Sequence, residues 1–249
     1  MKKKKSAKKI LLILAMLLLL AIFLFAGFRL WSYYREGKEN EELYSALAAE
    51  RAEKLTDTRP SPAEQYGSFE ERNSDFAGWL WIENTVIDYP VMQGKTADYY
   101  LYRNFEKKYS AFGSLYLEKD CLPDESQNLL IHGHHMKNGA MFAALTKYTD
   151  KKFYESHKII HFDTLESYGT YEIVAAFKVD LASEKHFPYY QFIDGSEEEF
   201  NAFVKNCKAR AFYNTGVDAR FGDRLLTLST CEYTQKDGRM VILAKRISE

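Results

Sequence analysis

The sequence predicts a mainly β (α+β) outer domain, an eight-stranded closed β-barrel with peripheral helices, behind a single N-terminal transmembrane helix. Three observations predict it. An uncharged apolar run, Ile10 to Phe28, separates a lysine block from a long polar remainder. From Trp79 onward come eight short segments rich in β-branched and aromatic residues, punctuated by turn residues. Only two helical patterns interrupt them, and many short strands with few helices close readily as a barrel.

The chain has 249 residues, with 34 basic and 35 acidic side chains and a formal net charge of −1. That average conceals two pieces. Seven basic residues (Lys2, Lys3, Lys4, Lys5, Lys8, Lys9 and Arg29) precede position 31, where no acidic residue occurs. The rest carries 27 basic against 35 acidic residues, a net charge of −8. An acidic outer part does not fit a nucleic-acid partner. With 13 Gly and 5 Pro, collagen-like and low-complexity classes are excluded.

Residues 1–9 read as a cytoplasmic lysine-rich tail and residues 10–30 as a transmembrane anchor. The 19 residues from Ile10 to Phe28 carry no charged or polar side chain. At helical rise they span about 28 Å, close to a bilayer's hydrocarbon thickness. Trp31, Tyr33 and Tyr34 follow where an aromatic belt belongs, and the lysines orient the N-terminus to the cytoplasm. A cleaved signal peptide is the competing reading. Its apolar core is usually about 7–15 residues before a small-x-small site. Here the run is longer, and Gly27-Phe28-Arg29-Leu30-Trp31 makes a poor site.

Residues 31–67 read as a stalk helix and linker. In 31–55 only Leu43, Leu47 and Leu55 keep helical spacing among Glu and Lys. So thin a stripe does not fold alone. It suits a solvated stalk with a reach of about 37 Å, or a weak coiled-coil dimer. Two prolines in 56–67 break the helix.

Residues 68–249 are long enough for one domain with its own core. The expected strands are 79–83, 87–93, 113–118, 128–132, 158–163, 170–180, 224–230 and 240–248. The expected helices are Met141–Tyr148 and Ser196–Arg210, the second opening on a Ser196/Glu199 capping box.

Three cysteines fall in the outer part, so at least one thiol is free. Cys121 sits among acidic residues, which suppress a thiolate. Cys207 lies within a helix, where packing is the ordinary role. Cys231 ends the apolar run LLTLSTC, and Arg239 opens the next strand eight residues later. Adjacent antiparallel strands would set the two side by side. A guanidinium there favours a thiolate and can hold an oxyanion.

IHGHHM (131–136) supplies the histidines. His132 and His134 share a strand face if the strand continues, and His135 points away. One reading is a metal site with His157 or His161 as further ligands. No tight second pair supports it, and no metal is expected. The other reading is one histidine serving Cys231 as acid and base. The order also discriminates, because histidine precedes cysteine, the reverse of papain-like enzymes. HExxH and GxSxG are absent.

The ordered set IHGHHM, TLSTC (227–231) and Arg239 resembles the sortases. GWLWIENTVIDYPVMQG (78–94) and the helix between 170–180 and 224–230 are similar to class B of that family. The resemblance covers about residues 68–249 and implies a sortase-like barrel. It implies Cys231 as nucleophile, His134 as the family histidine and Arg239 as the family arginine. Ser229 and Thr230 would line the substrate groove, and His135 ranks second to His134. The implied reaction cuts a secreted surface protein at a C-terminal sorting signal, commonly between Thr and Gly. The new carboxyl end then joins an amine of cell-wall peptidoglycan, as precursor or cross-bridge. A pilin-polymerising class B enzyme, with a pilin lysine as acceptor, remains open from the sequence. So does a non-enzymatic anchored binding module. No cofactor is implied.

Overall fold

The computed structural model describes residues 2–54, 60–234 and 236–248. The chain divides into two units, residues 1–42 and 43–249. The first unit lies within helix α1 (Lys2–Glu53). Its large apolar side chains from Ile10 to Phe28 are all exposed, and by length and composition this helix could cross a membrane.

The second unit begins with the last turns of α1. Tyr44 and Leu47 are buried in the core, and Arg51 is nearly so. The Tyr44 hydroxyl donates to the Gly113 carbonyl at 3.0 Å and meets Ser114 Oγ at 2.8 Å. The Arg51 guanidinium lies 4.4 Å from the Trp81 ring centroid and 3.2 Å from Asp88 Oδ1. These turns therefore do not form the solvated stalk expected over 31–67. A thin apolar stripe cannot fold alone, but it suffices when it docks on an existing core. Leu55 and the first linker residues lie outside the described residues.

Pro62 also departs from expectation, since it begins a helix rather than breaking one. In α2 (Pro62–Arg72) the Ser61 side chain accepts from the Glu64 backbone while Glu64 reaches back, a full capping box. Proline at the first helical position loses no hydrogen bond. Tyr66 and Phe69 of α2 are fully buried, Phe69 lying 5.2 Å from Trp79. The packed domain thus starts before Ser68. Tyr44→Phe removes two buried contacts at this junction. We expect it to lower unfolding free energy by about 1–2 kcal/mol, read by denaturant titration.

Eight strands close the barrel: β1 (Phe76–Trp81), β2 (Asp88–Met92), β3 (Leu115–Leu117), β4 (Asn128–His132), β5 (Ile159–Asp163), β6 (Thr170–Asp180), β7 (Leu225–Glu232) and β8 (Gly238–Ser248). The order around it is β1-β2-β3-β4-β7-β8-β6-β5. β2/β3 and β4/β7 pair in parallel, the other neighbours antiparallel. A parallel pair needs a long crossover. Between β4 and β7 that crossover holds α3 (Lys151–Ser156), β5, β6 and α4 (Glu197–Arg210), which packs on β6. The Ser196/Glu199 capping box of α4 forms as its sequence indicates.

β1 opens three residues earlier than the expected 79–83, with a register shift between Phe76 and Gly78. A Cβ at Gly78 would collide with the Asp163 carbonyl. The helix expected over 141–148 is a 3-10 helix, Phe142–Thr149. The hydroxyls of Thr146 and Thr149 donate to carbonyls three residues back, at 2.8 and 3.0 Å. Such bonds compete with α-helical ones and suit the tighter turn.

Candidate active site

β7 and β8 place the first two groups. Their antiparallel register makes Cys231 and Arg239 direct partners, so both side chains leave the same face. Both line a cleft of about 470 Å³. Cys231 is partly exposed, while Cys121 and Cys207 are fully buried. Arg239 Nη1 donates to Asp237 Oδ1 at 2.7 Å and to the Gly238 carbonyl at 3.0 Å. Half-burial opposes the guanidinium charge, but the interactions with Cys231 and with the Asp237 carboxylate outweigh it and hold its pKa above the ordinary value.

β4 places the histidine. His132 is the register partner of Ser229 in the parallel β4/β7 ladder. The pairing runs on past the strand: Gly133 N donates to Ser229 O at 3.1 Å, and Thr230 Oγ1 donates to Gly133 O at 2.7 Å. This carries His134 to the level of Cys231, and it lines the same cleft. Gly133 is needed for close packing, because a Cβ would strike the Leu115 and Phe142 side chains. The loop closes where Phe142 N donates to His134 O at 2.9 Å and His135 bridges to Met141.

His134 Nε2 lies 2.7 Å from the Leu101 carbonyl, and its ring lies 5.7 Å from that of Tyr102. A carbonyl only accepts, so Nε2 carries the proton and Nδ1 is left for chemistry. His135 is engaged differently. Its Nδ1 donates to the Cys231 carbonyl at 3.1 Å, and Tyr233 Oη donates to the His135 carbonyl at 3.1 Å. His135 therefore ties the backbone of the thiol strand to the histidine loop.

Ser229 and Thr230 border the cleft but are each 2% exposed. Ser229 Oγ and the Tyr189 hydroxyl meet at 2.7 Å, and Thr230 is spent on Gly133. Their side chains brace the walls. His157 stacks on Phe153 and His161 on Trp81, and among the described residues no three His, Cys, Asp or Glu side chains gather as a metal site needs.

Sequence reasoning missed Leu101, Tyr102 and Asp237. The first two act from a distant 3-10 turn, and a backbone carbonyl has no sequence signature. Asp237, two residues before Arg239, was visible but had no assigned role. For Cys121 the acidic neighbours named from the sequence are the lesser cause. Burial, more than its acidic neighbours, pushes the thiol up to about 11. Burial raises the Cys207 thiol further. A thiol reagent on the native chain should label Cys231 alone, and mass spectrometry of the digest checks this.

A sortase-domain family model matches residues 80–247. Sortase B of Staphylococcus aureus is 30% identical over 233 residues, covering 92% of this chain and 93% of that one. Sortase B of Listeria monocytogenes is 30% identical over 236 residues, covering 92% and 94%. Among solved structures, a Staphylococcus aureus sortase B–substrate complex superposes with a TM-score of 0.79 at 29% identity, covering 86% of this chain and 99% of that one.

Proposed function

The chain belongs to the sortase family, cysteine transpeptidases that act on sorting signals, and from that premise we propose a membrane-anchored enzyme with three reacting side chains. It cleaves a C-terminal sorting signal of secreted proteins at an LPxTG-like Thr–Gly bond and transfers the acyl group to a peptidoglycan amine. The apolar run at 10–30 spans the membrane, residues 1–9 are cytoplasmic, and the domain from Leu43 works outside.

The observation that carries this reading is the Cys231–Arg239 register pair opening into the cleft that His134 also lines. The Cys231 thiolate attacks the scissile carbonyl. The Arg239 guanidinium meets the developing oxyanion. His134 Nδ1–H protonates the leaving amine as the C–N bond breaks, giving a thioester. The incoming amine loses its proton to neutral His134 Nδ1, attacks the thioester and releases the thiolate. Asp237 holds Arg239 in place, and His135 fixes the strand end.

The test is cleavage of a peptide library by the full chain in detergent, with wall-type amines and a pilin-type lysine offered as acceptors. Transfer to the wall amine supports the proposal. Exclusive transfer to the lysine would reassign it as a pilin polymerase, and no cleavage would refute it. Arg239→Ala should lower kcat/KM by about 10²–10³-fold, as loss of an oxyanion donor does. Arg239→Lys should recover little, because a point charge does not replace the planar fork.

A further inference from the structure

The proposed chemistry leaves one wall of the cleft unused. That wall holds a second histidine, His132, and the one carboxylate among the described lining residues, Glu118. His132 Nε2 lies 3.3 Å from Glu118 Oε2, and Glu118 Oε1 accepts the Lys119 backbone N–H at 3.0 Å. Tyr116 completes the group. It is the cross-strand partner of His132, and the two rings stack at 5.2 Å. The Glu118 and His132 side chains are each 21% exposed, open to a ligand yet shielded from much of the screening of bulk water.

Glu118 brings a carboxylate to this wall. The adjacent His132 imidazole is the main cause holding Glu118 below the ordinary carboxylate range, against the effect of burial, with smaller help from Lys119. Glu118 is therefore ionised at neutral pH. The Tyr116 hydroxyl is pushed up to about 12, by burial first and then by the negative charges of Glu118, Cys231 and Asp98. The cleft's guanidinium, on Arg239, is already matched by Asp237. The Lys119 ammonium turns toward Asp120 at 3.9 Å.

We propose that Glu118, oriented by His132 and walled by Tyr116, forms a specificity subsite for a basic side chain of the sorting peptide. This rests on the cleavage reaction proposed above. In the ladder His132 lies one strand from Cys231 and Glu118 two. With neighbouring strands about 4.8 Å apart, an extended peptide held at Cys231 reaches the pair within about three to five residues.

The experiment scans each position of a cleavable peptide with lysine, acetyl-lysine, norleucine, glutamine and glutamate, using the full chain in detergent. At one position lysine should exceed norleucine in kcat/KM by about tenfold, the effect of one charge-assisted hydrogen bond. Acetylating that lysine should remove the advantage in the wild type. In Glu118→Gln the lysine-to-norleucine ratio should fall to about one, and in Glu118→Lys glutamate should become the preferred residue. A wild type that cleaves but favours lysine nowhere overturns the inference. So does a preference for glutamine unaffected by charge, or a lysine preference that survives Glu118→Gln. Failure of the wild type on every peptide is a different result, because it defeats the parent reaction. The wild-type acetylation arm stands even if the Glu118 variants do not fold.

Discussion

Replacing Cys231 with alanine is expected to abolish peptide cleavage, a fall of at least about 10⁴-fold in kcat, with the barrel unchanged. The proposed reaction passes through a thioester, and no other thiol can supply it. Cys121 Sγ faces the Asn128 carbonyl at 3.6 Å and accepts the Leu130 N–H at 3.4 Å inside the core. Cys207 is sealed in the buried face of α4. The Cys231 side chain is only partly buried, so its truncation leaves little cavity and should shift the unfolding midpoint slightly. The assay needs both measurements, cleavage rate and thermal unfolding. Residual activity within tenfold of wild type would defeat the nucleophile assignment.

His134→Ala should lower kcat by about 10²–10⁴-fold, the usual contribution of a positioned acid–base group. The argument rests on the nitrogen bookkeeping. Leu101 claims Nε2, so a single orientation presents Nδ1, and alanine supplies neither the proton for the leaving amine nor the base for the incoming one. The same change releases the Leu101 carbonyl to water at the cleft edge. His135→Ala is the internal control. Its Nδ1 is committed to the Cys231 carbonyl, so its loss loosens geometry and should cost less in kcat than His134→Ala. Single-turnover measurement of acylation, run on both variants, reads the difference. A larger loss in His135→Ala than in His134→Ala would reverse the two roles.

Much of the fold was legible before any coordinates. The strands are short β-rich runs bounded by turn residues, and β4 is residues 128–132 both in the sequence reading and in the structure. The α4 cap was readable because Ser196 and Glu199 act over one turn. The Ser61-Pro62-x-Glu64 signal was equally local, but the prolines were given the weight of helix breakers. Local signals failed where a distant surface decided the outcome. Nothing in residues 43–53 announces that Trp79, Trp81 and Asp88 receive Arg51.

The site divides along the same line. Cys231 and Arg239 are joined by a short loop between antiparallel strands, so a sequence interval fixes their neighbourhood. The histidine lies about a hundred residues upstream, and only the parallel β4/β7 pairing brings it to the thiol. That pairing, the Leu101 carbonyl that selects the His134 nitrogen and the Glu118–His132 pair lining the same cleft are products of closure. The sequence by itself determined the apolar helix, the strand series and the identity of the reacting residue types, because those depend on composition and on spacing along a few turns. Only the tertiary structure decided which nitrogen faces the chemistry, what braces it and what charge lines the cleft. Those depend on atoms brought together across the barrel, and a linear pattern carries no information about which strands become neighbours.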